Sequence, residues 1–282
     1  MTDAQRDARG NTPPVDTTRA VLWPDTDVIS ATAAVARSAP LIHCITNVVA
    51  ATFSANALLA VGASPAMVEN QAESAEFVPM SDALLVNLGT MSAERVEAVR
   101  SATDAAQSSG TPWVLDPVAV GVLAERTRLA ADLVAKQPTV IRGNASEIIS
   151  LAGAAAGGRG VDSTLGSEAA IESAIELART SGSVVAVSGV TDYVTDGKET
   201  LAVPGGDPLL ARITASGCVL GALIAAFGAG GTNPLVAAAS ASALMAAAGE
   251  RAAKRAAGPG SFVAHLLDDL FALSNHSQGA VR

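Results

Sequence analysis

The residue or two that follow a short apolar run in this sequence are repeatedly amide, acidic, cationic or hydroxyl side chains. Thr46 and Asn47 follow Leu41-Ile42-His43-Cys44-Ile45, and Asn87 closes Ala83-Leu84-Leu85-Val86. Asp116 closes Trp113-Val114-Leu115, Arg142 closes Thr139-Val140-Ile141, and Ser188 closes Val184-Val185-Ala186-Val187. If these runs are parallel strands, their polar ends share the carboxyl edge of a sheet, where ligands bind in open α/β folds. Asp116 and Glu147 would bring carboxylates able to hold Mg²⁺, which in phosphoryl-transfer sites rests on one or two carboxylates plus water and phosphate. Arg142 would bring a cation for phosphate oxygens.

Two segments sharpen that chemistry. In Arg142-Gly143-Asn144-Ala145-Ser146-Glu147, Asn144 can cap a following helix with Glu147 at its third position, close to a capping box and common in soluble proteins. The same segment sets a cation and a glycine beside a helix N-terminus and a carboxylate, which suits a Mg-nucleotide. Both readings stay open. Asp116-Pro117 alone is an ordinary turn; its weight comes from being a second acidic residue on the same rim. Thr214-Ala215-Ser216-Gly217-Cys218 leads into the apolar run Val219–Phe227. Its small residues leave first-turn N–H groups open, an anion site where charge develops on a transferring phosphoryl group. Cys218 falls in that first turn, where the helix dipole lowers a thiol pKa; the plainer reading is a small cysteine packing a helix start. Cys44, between apolar neighbours, reads as packing. His43, His265 and His276 lack spaced partners and read as structural or surface residues.

The elements that must position these groups alternate as β-α units with a mainly parallel sheet. Strands are expected at Leu41–Ile45, Ala66–Val68, Ala83–Asn87, Trp113–Asp116, Thr139–Arg142 and Val184–Ser188. A hairpin turns at Asp196-Gly197 between Tyr193–Thr195 and Glu199–Val203. Helices are expected over Thr52–Ala60, Gln71–Met80, Glu168–Thr180 and from Ser92 to Ser108, with Ser92 as cap. From Gly217 onward the chain reads helical, with breaks at Gly231 and Gly258. Met1 to Asp27 is polar, without the apolar core of a secretory signal, and reads as a disordered tail. Residues 28–282 read as one domain.

Composition removes several function classes. Net charge is −9 without a basic stripe, which argues against nucleic acid. Two isolated cysteines, with no CxxC or HExxH spacing, give neither a disulfide framework nor a structural zinc site, and fit a reducing cytosol. Val219–Ala248 is almost wholly apolar, but Gly230-Gly231-Thr232-Asn233-Pro234 divides it into halves too short for the roughly 20 residues of a spanning helix. Gly189 to Gly197-Lys198 misses the P-loop spacing, and no GxGxxG follows a strand. Hydrophobic residues make up 49% and aromatics 3%, so the core must be built from Ala, Val, Leu and Ile.

Together the motifs resemble the hydroxyethylthiazole kinase family. His43-Cys44-Ile45-Thr46-Asn47, Gly62-Ala63-Ser64-Pro65-Ala66-Met67, Asp116-Pro117-Val118 and Arg142 through Glu147 carry the likeness. So do Gly160-Val161-Asp162-Ser163, Asp192 through Gly197, and Gly258-Pro259-Gly260-Ser261-Phe262, in order from Ala39 to Leu273. The resemblance implies a ribokinase-like α/β fold with helices on both faces of the sheet. It also implies a cytoplasmic homotrimer with active sites between subunits, and Mg²⁺- and ATP-dependent phosphorylation of hydroxyethylthiazole in thiamine salvage. It assigns Met67, Asn47 and Ala215 to the thiazole, and Arg142, Ser188 and Asn144 to ATP. Asp116 and Glu147 fall near the Mg-phosphates, and Cys218 stands where many relatives of the superfamily carry an aspartate base. Ala215 and Ser216 depart from the family's usual Gly-Thr, and Ser188 replaces a common Thr. If position 215 needs φ > 0, its Cβ is strained by about 1 kcal/mol or more. Another small-alcohol kinase of the same fold, or a catalytically impaired trimer that only binds nucleotide or thiazole, would share most of these features.

Overall fold

A computed structural model of the protein describes residues 18–155 and 166–280. In chain order its elements are β1 (Arg19–Ala20), α1 (Thr26–Ser38), β2 (Leu41–Ile45), α2 (Ala51–Ala60), β3 (Ser64–Ala66), α3 (Gln71–Phe77), β4 (Ala83–Asn87), α4 (Ala93–Ser109), β5 (Trp113–Asp116) and α5 (Ala124–Val134). Then come β6 (Val140–Asn144), α6 (Ala145–Ala155), α7 (Ile171–Ser181), β7 (Val184–Ser188), β8 (Thr191–Thr195), β9 (Thr200–Pro204), α8 (Ser216–Gly228), α9 (Pro234–Ala253) and α10 (Pro259–Ala280). The strands make one sheet in the order β1-β9-β8-β7-β6-β5-β4-β2-β3. Every pairing is parallel except the two made by β8.

Successive strand residues point to opposite faces, and here both faces are buried. Ala83 and Leu85 of β4 join a core with α8, α9 and α10, while Leu84 and Val86 join a second core with α4, α5 and α7. Val184 and Ala186 of β7 go to the first core, Val185 and Val187 to the second. Continuous apolar runs are the consequence of covering a sheet on both sides. The run from Val219 resolves into two buried helices: Val219–Phe227 of α8 are all buried, and the chain turns through Gly230 at φ 76° before α9. Asn233 caps α9 through the N–H of Leu235.

Some expectations shift. The tail does not run to Asp27: β1 pairs with β9, Val21 is 3% exposed, and α1 begins at Thr26. Helices α1 and α5 are additional to the elements expected from the apolar patterning. The short strand expected at Ala66–Val68 lies at Ser64–Ala66, because its register follows β2, with Pro65 opposite Ile42. Gly160-Val161-Asp162-Ser163 lies outside the described residues.

Candidate active site at the strand ends

The carboxyl ends of β2, β4, β5, β6 and β7 form one rim, and a hydrogen-bonded network crosses it. Beyond β2, Asn47 is locked at its oxygen: Oδ1 accepts the N–H groups of Val49 (3.1 Å) and Ala50 (3.0 Å) at the start of α2. Its Nδ2 is thereby aimed at the rim, donating to Asn87 Oδ1 (2.9 Å) and to Cys218 Sγ (3.4 Å). Asn87, fully buried at the end of β4, accepts a second bond from Gly89 N–H (3.0 Å) and donates Nδ2 to Asp116 Oδ2 (2.7 Å). Gly89 permits this closeness, since a Cβ there would stand 2.7 Å from the Asn47 side chain.

Asp116 ends β5 with no solvent exposure, and its Oδ1 has no partner. Burial pushes its carboxyl up to about 6, opposed by the Arg142 guanidinium and reinforced by the Glu147 charge. Arg142 reaches across from β6: Nη1 lies 3.7 Å from Asp116 Oδ2, while Nε and Nη2 donate to Ser188 Oγ at 3.2 and 2.9 Å. The cation is thus held between a carboxylate and a hydroxyl from the two flanking strands.

The start of α8 lies against that cation. Ala215 caps the helix in the left-handed region (φ 65°, ψ 8°), so position 215 does require a conformation that a Cβ disfavours. Two residues on, a Cβ at Gly217 would stand 2.5 Å from Arg142 Nη1. The glycine is what lets guanidinium and helix N-terminus share one place. Cys218 follows, and here the sequence expectation reverses. Burial and the Asp116 carboxylate raise its thiol pKa, outweighing the Asn47, Asn87 and Arg142 contributions that lower it. At neutral pH Cys218 is a thiol.

The two expected metal carboxylates differ. Glu147 Oε2 accepts the Asn144 N–H (2.9 Å) and Oε1 that of Ala119 (3.0 Å), while Asn144 Oδ1 accepts the Glu147 N–H (2.9 Å) and the Ser146 hydroxyl (2.7 Å). This is a reciprocal capping box that also ties down the loop after β5. Glu147 brings charge to the rim, but both of its oxygens are engaged. Asp116 Oδ1, buried and unpartnered, is the atom suited to a cation. Among the described residues no three His, Cys, Asp or Glu side chains converge as a metal cluster, so a cation here would need phosphate or water oxygens to complete its shell.

On the far side of Arg142 a cleft of about 760 Å³ opens, lined among others by Ser188, Asp192, Leu210, Gly217 and Met245. Its size suits a small-molecule ligand such as a nucleotide. The buried Ser242 hydroxyl belongs to it, as does Asp192, whose carboxyl burial raises in pKa against the lowering effects of the Gly189 N–H, the Arg142 charge and the Ser242 hydroxyl; neither residue carries a signal in the sequence as a site residue. Asn87, at the centre of the network, was noted only as a strand-end residue. The rim therefore brings together Asn47, Asp116, Arg142, Ser188, Gly217 and Cys218, with Asn144 beside Ser188 at the end of β6 and Glu147 in the first turn of α6. Met67 stands outside the network, one residue past the edge strand β3 and 36% exposed. No helix among the described residues is long and apolar enough to cross a membrane.

Residues 32–276 match the hydroxyethylthiazole kinase family. A protein of Kineococcus radiotolerans named hydroxyethylthiazole kinase is 56% identical over 244 residues, spanning 86% of this chain and 89% of that one. The solved structure of the hydroxyethylthiazole kinase of Pyrococcus horikoshii superposes with a TM-score of 0.81 at 39% identity, covering 87% of this chain and 92% of its own. A ribokinase-like superfamily protein of Enterococcus faecalis shares the fold alone, with a TM-score of 0.61 at 14% identity over 92% of this chain and 93% of that one.

Proposed function

The chain belongs to the hydroxyethylthiazole kinase family, and on that premise we propose that it transfers the γ-phosphoryl group of ATP to the primary hydroxyl of 4-methyl-5-(2-hydroxyethyl)thiazole. The reaction is a thiamine salvage step, carried out with Mg²⁺ by a cytoplasmic homotrimer. The observation that carries this reading is that the Arg142 guanidinium and the start of α8 line a nucleotide-sized cleft, with the buried Asp116 carboxylate 3.7 Å from the guanidinium.

Phosphoryl transfer through a loose transition state demands positioning and charge neutralisation more than a strong base. Arg142, held by Ser188, binds the transferring phosphate from the cleft side. The first-turn N–H groups at Ser216 to Cys218 face the same charge as a helix N-terminus. Asp116 Oδ1 would hold Mg²⁺, which when bound neutralises phosphate charge, and Glu147 deepens the local negative potential. Cys218 accepts from Asn47 at sulfur and keeps its S–H for a second partner, so it orients the acceptor hydroxyl as a neutral group. Met67 and the backbone at Ala215 contact the thiazole; Asn144 serves the nucleotide by fixing the N-terminus of α6.

ADP formation by the purified protein with hydroxyethylthiazole tests the proposal. Activity should appear with Mg²⁺, vanish with EDTA, and exceed that on competing alcohols at equal concentration. A clear preference for another alcohol, or tight binding without ADP release, refutes it. Cys218→Ala should lower kcat by roughly tenfold, below the ~10²–10⁴ range for proton-transfer groups, because the thiol orients the hydroxyl as a neutral group. An unchanged kcat removes Cys218 from the mechanism.

A further inference from the structure

His43 is completely buried in β2, and nothing in the proposed chemistry uses it. Its Nε2 lies 2.7 Å from the carbonyl oxygen of Val68. A carbonyl only accepts, so Nε2 carries the proton and donates. The other ring nitrogen is buried without a partner, and Phe77 meets the ring edge-on at 5.2 Å between centroids. A buried imidazole with one unsatisfied nitrogen is costly to keep in a sheet of aliphatic residues, which makes its single hydrogen bond informative.

That bond ends on the segment joining β3 to α3, residues 67–70. The Ser74 hydroxyl donates to the same Val68 carbonyl at 3.2 Å. Glu69 pairs with Arg95, a buried residue of α4 whose Nη1 also donates to the Thr90 carbonyl at 3.1 Å. Asn70 caps α3 through the N–H groups of Ala72 and Glu73 at 3.0 and 3.4 Å. Positions 68, 69 and 70 are each pinned to the body of the protein, while the Met67 side chain is left presented at the surface. Four residues on, just beyond the end of β2, Asn47 donates to Cys218. One strand thus sets both the Met67 segment and the thiol.

We propose that His43 is a positioning residue for the acceptor: its Nε2–H, seconded by the Arg95–Glu69 pair, fixes the Met67 segment in register with β2, so that affinity for the thiazole depends on it while affinity for the nucleotide does not. The inference rests on the reading of Met67 as a thiazole contact. Its test is a comparison of KM values for hydroxyethylthiazole and for ATP in the wild type, His43→Leu, His43→Gln and Glu69→Gln, with thermal unfolding followed in parallel. His43→Leu removes the shorter of the two bonds to the part-buried Val68 carbonyl, leaving that of Ser74, and should raise the thiazole KM roughly tenfold, with the ATP KM changed less than about twofold. His43→Gln, which can offer an N–H near the place of Nε2, should recover most of that loss. Glu69→Gln alters an exposed side chain, folds regardless of how His43→Leu behaves, and should shift the thiazole KM alone by roughly two- to threefold. An active wild type whose His43→Leu and Glu69→Gln variants keep the native thiazole KM, or move both KM values equally, overturns the inference. A wild type with no activity on the thiazole overturns the proposed function, and this inference with it.

Discussion

Gly217→Ala should separate stability from activity. The added Cβ would stand 2.5, 2.6 and 2.9 Å from Nη1, Nη2 and Cζ of Arg142. Heavy atoms in contact settle at about 3.5–4.0 Å, so the guanidinium must retreat by roughly 1 Å. That retreat breaks or stretches its bonds to Ser188, now 3.2 and 2.9 Å, and its 3.7 Å approach to Asp116. A misplacement of about 1 Å costs on the order of 10²-fold in rate, close to 2.7 kcal/mol of transition-state stabilisation. Stability responds differently. Arginine is a flexible side chain that can swing into the cleft, and Ala is better than Gly in a helix by up to about 1 kcal/mol. The expected outcome is a Tm within roughly 3 °C of wild type and a kcat/KM for ATP lowered roughly 100-fold. The control is Gly228→Ala in the same helix, where an added Cβ meets nothing within 4 Å. Thermal unfolding and ADP release measure both quantities. A Gly217→Ala protein with kcat/KM within threefold of wild type would show that Arg142 need not lie against α8; one that fails to fold would make Gly217 a packing residue.

Three further outcomes are expected. Ala215→Gly relieves a left-handed alanine worth about 1–2 kcal/mol and gives back about 0.4–1 kcal/mol in unfolded-chain entropy, so Tm should rise by roughly 1–3 °C; a fall would place the strain elsewhere. Asp116→Asn removes a carboxylate that burial disfavours, and should leave Tm unchanged or higher while kcat falls by roughly 100-fold or more; a native rate would exclude Asp116 as the cation residue. His43 has its pKa lowered from 6.5 by burial, against a smaller raising effect of the Val68 bond. The unfolded ring takes up a proton as pH falls through 6.5 while the folded ring resists, so the stability contributed by the neutral ring is whole above 6.5 and lost as pH falls below it. Melting curves from pH 7 to about 5 should flatten in His43→Gln; identical slopes would remove His43 from the acid response.

The sheet was legible because covering both faces demands uninterrupted apolar runs, and the strand-end rim followed from parallel order alone. What stayed hidden depends on distance in sequence. Helices α1 and α5 carry few large apolar residues: α1 buries Val28, Ala31, Thr32, Ala33 and Val35, and α5 Leu129, Ala130, Leu133 and Val134. The direction of the Cys218 shift is not legible in sequence because the helix dipole is local, whereas the opposing burial and the Asp116 carboxylate come from elsewhere in the chain. Glu147 showed both its possible roles in sequence, and only coordinates reveal that its two oxygens are engaged by Asn144 and Ala119. His43 looked structural because its partner Val68 offers a backbone carbonyl, an atom every residue has.

Why a thiol suffices at position 218 follows from the order of groups along the rim. From β2 to β7 the strand ends read Asn47, Asn87, Asp116, Arg142 and Ser188, amides first and charges after. Cys218 sits over the amide half, tied to Asn47, yet close enough to Asp116 to feel its charge. A carboxylate at 218 would confront one that burial already drives toward protonation, and like charges in such a site push pKa values further apart. The thiol adds no charge, accepts the Asn47 amide and retains a proton to direct. A neutral alcohol needs no more than neutral partners to be held, and the loose transition state asks for its charge to be met on the phosphate side. There Arg142, Asp116 and the α8 N-terminus already converge, so in the proposed reaction the alcohol falls to the amides and the triphosphate to the charges.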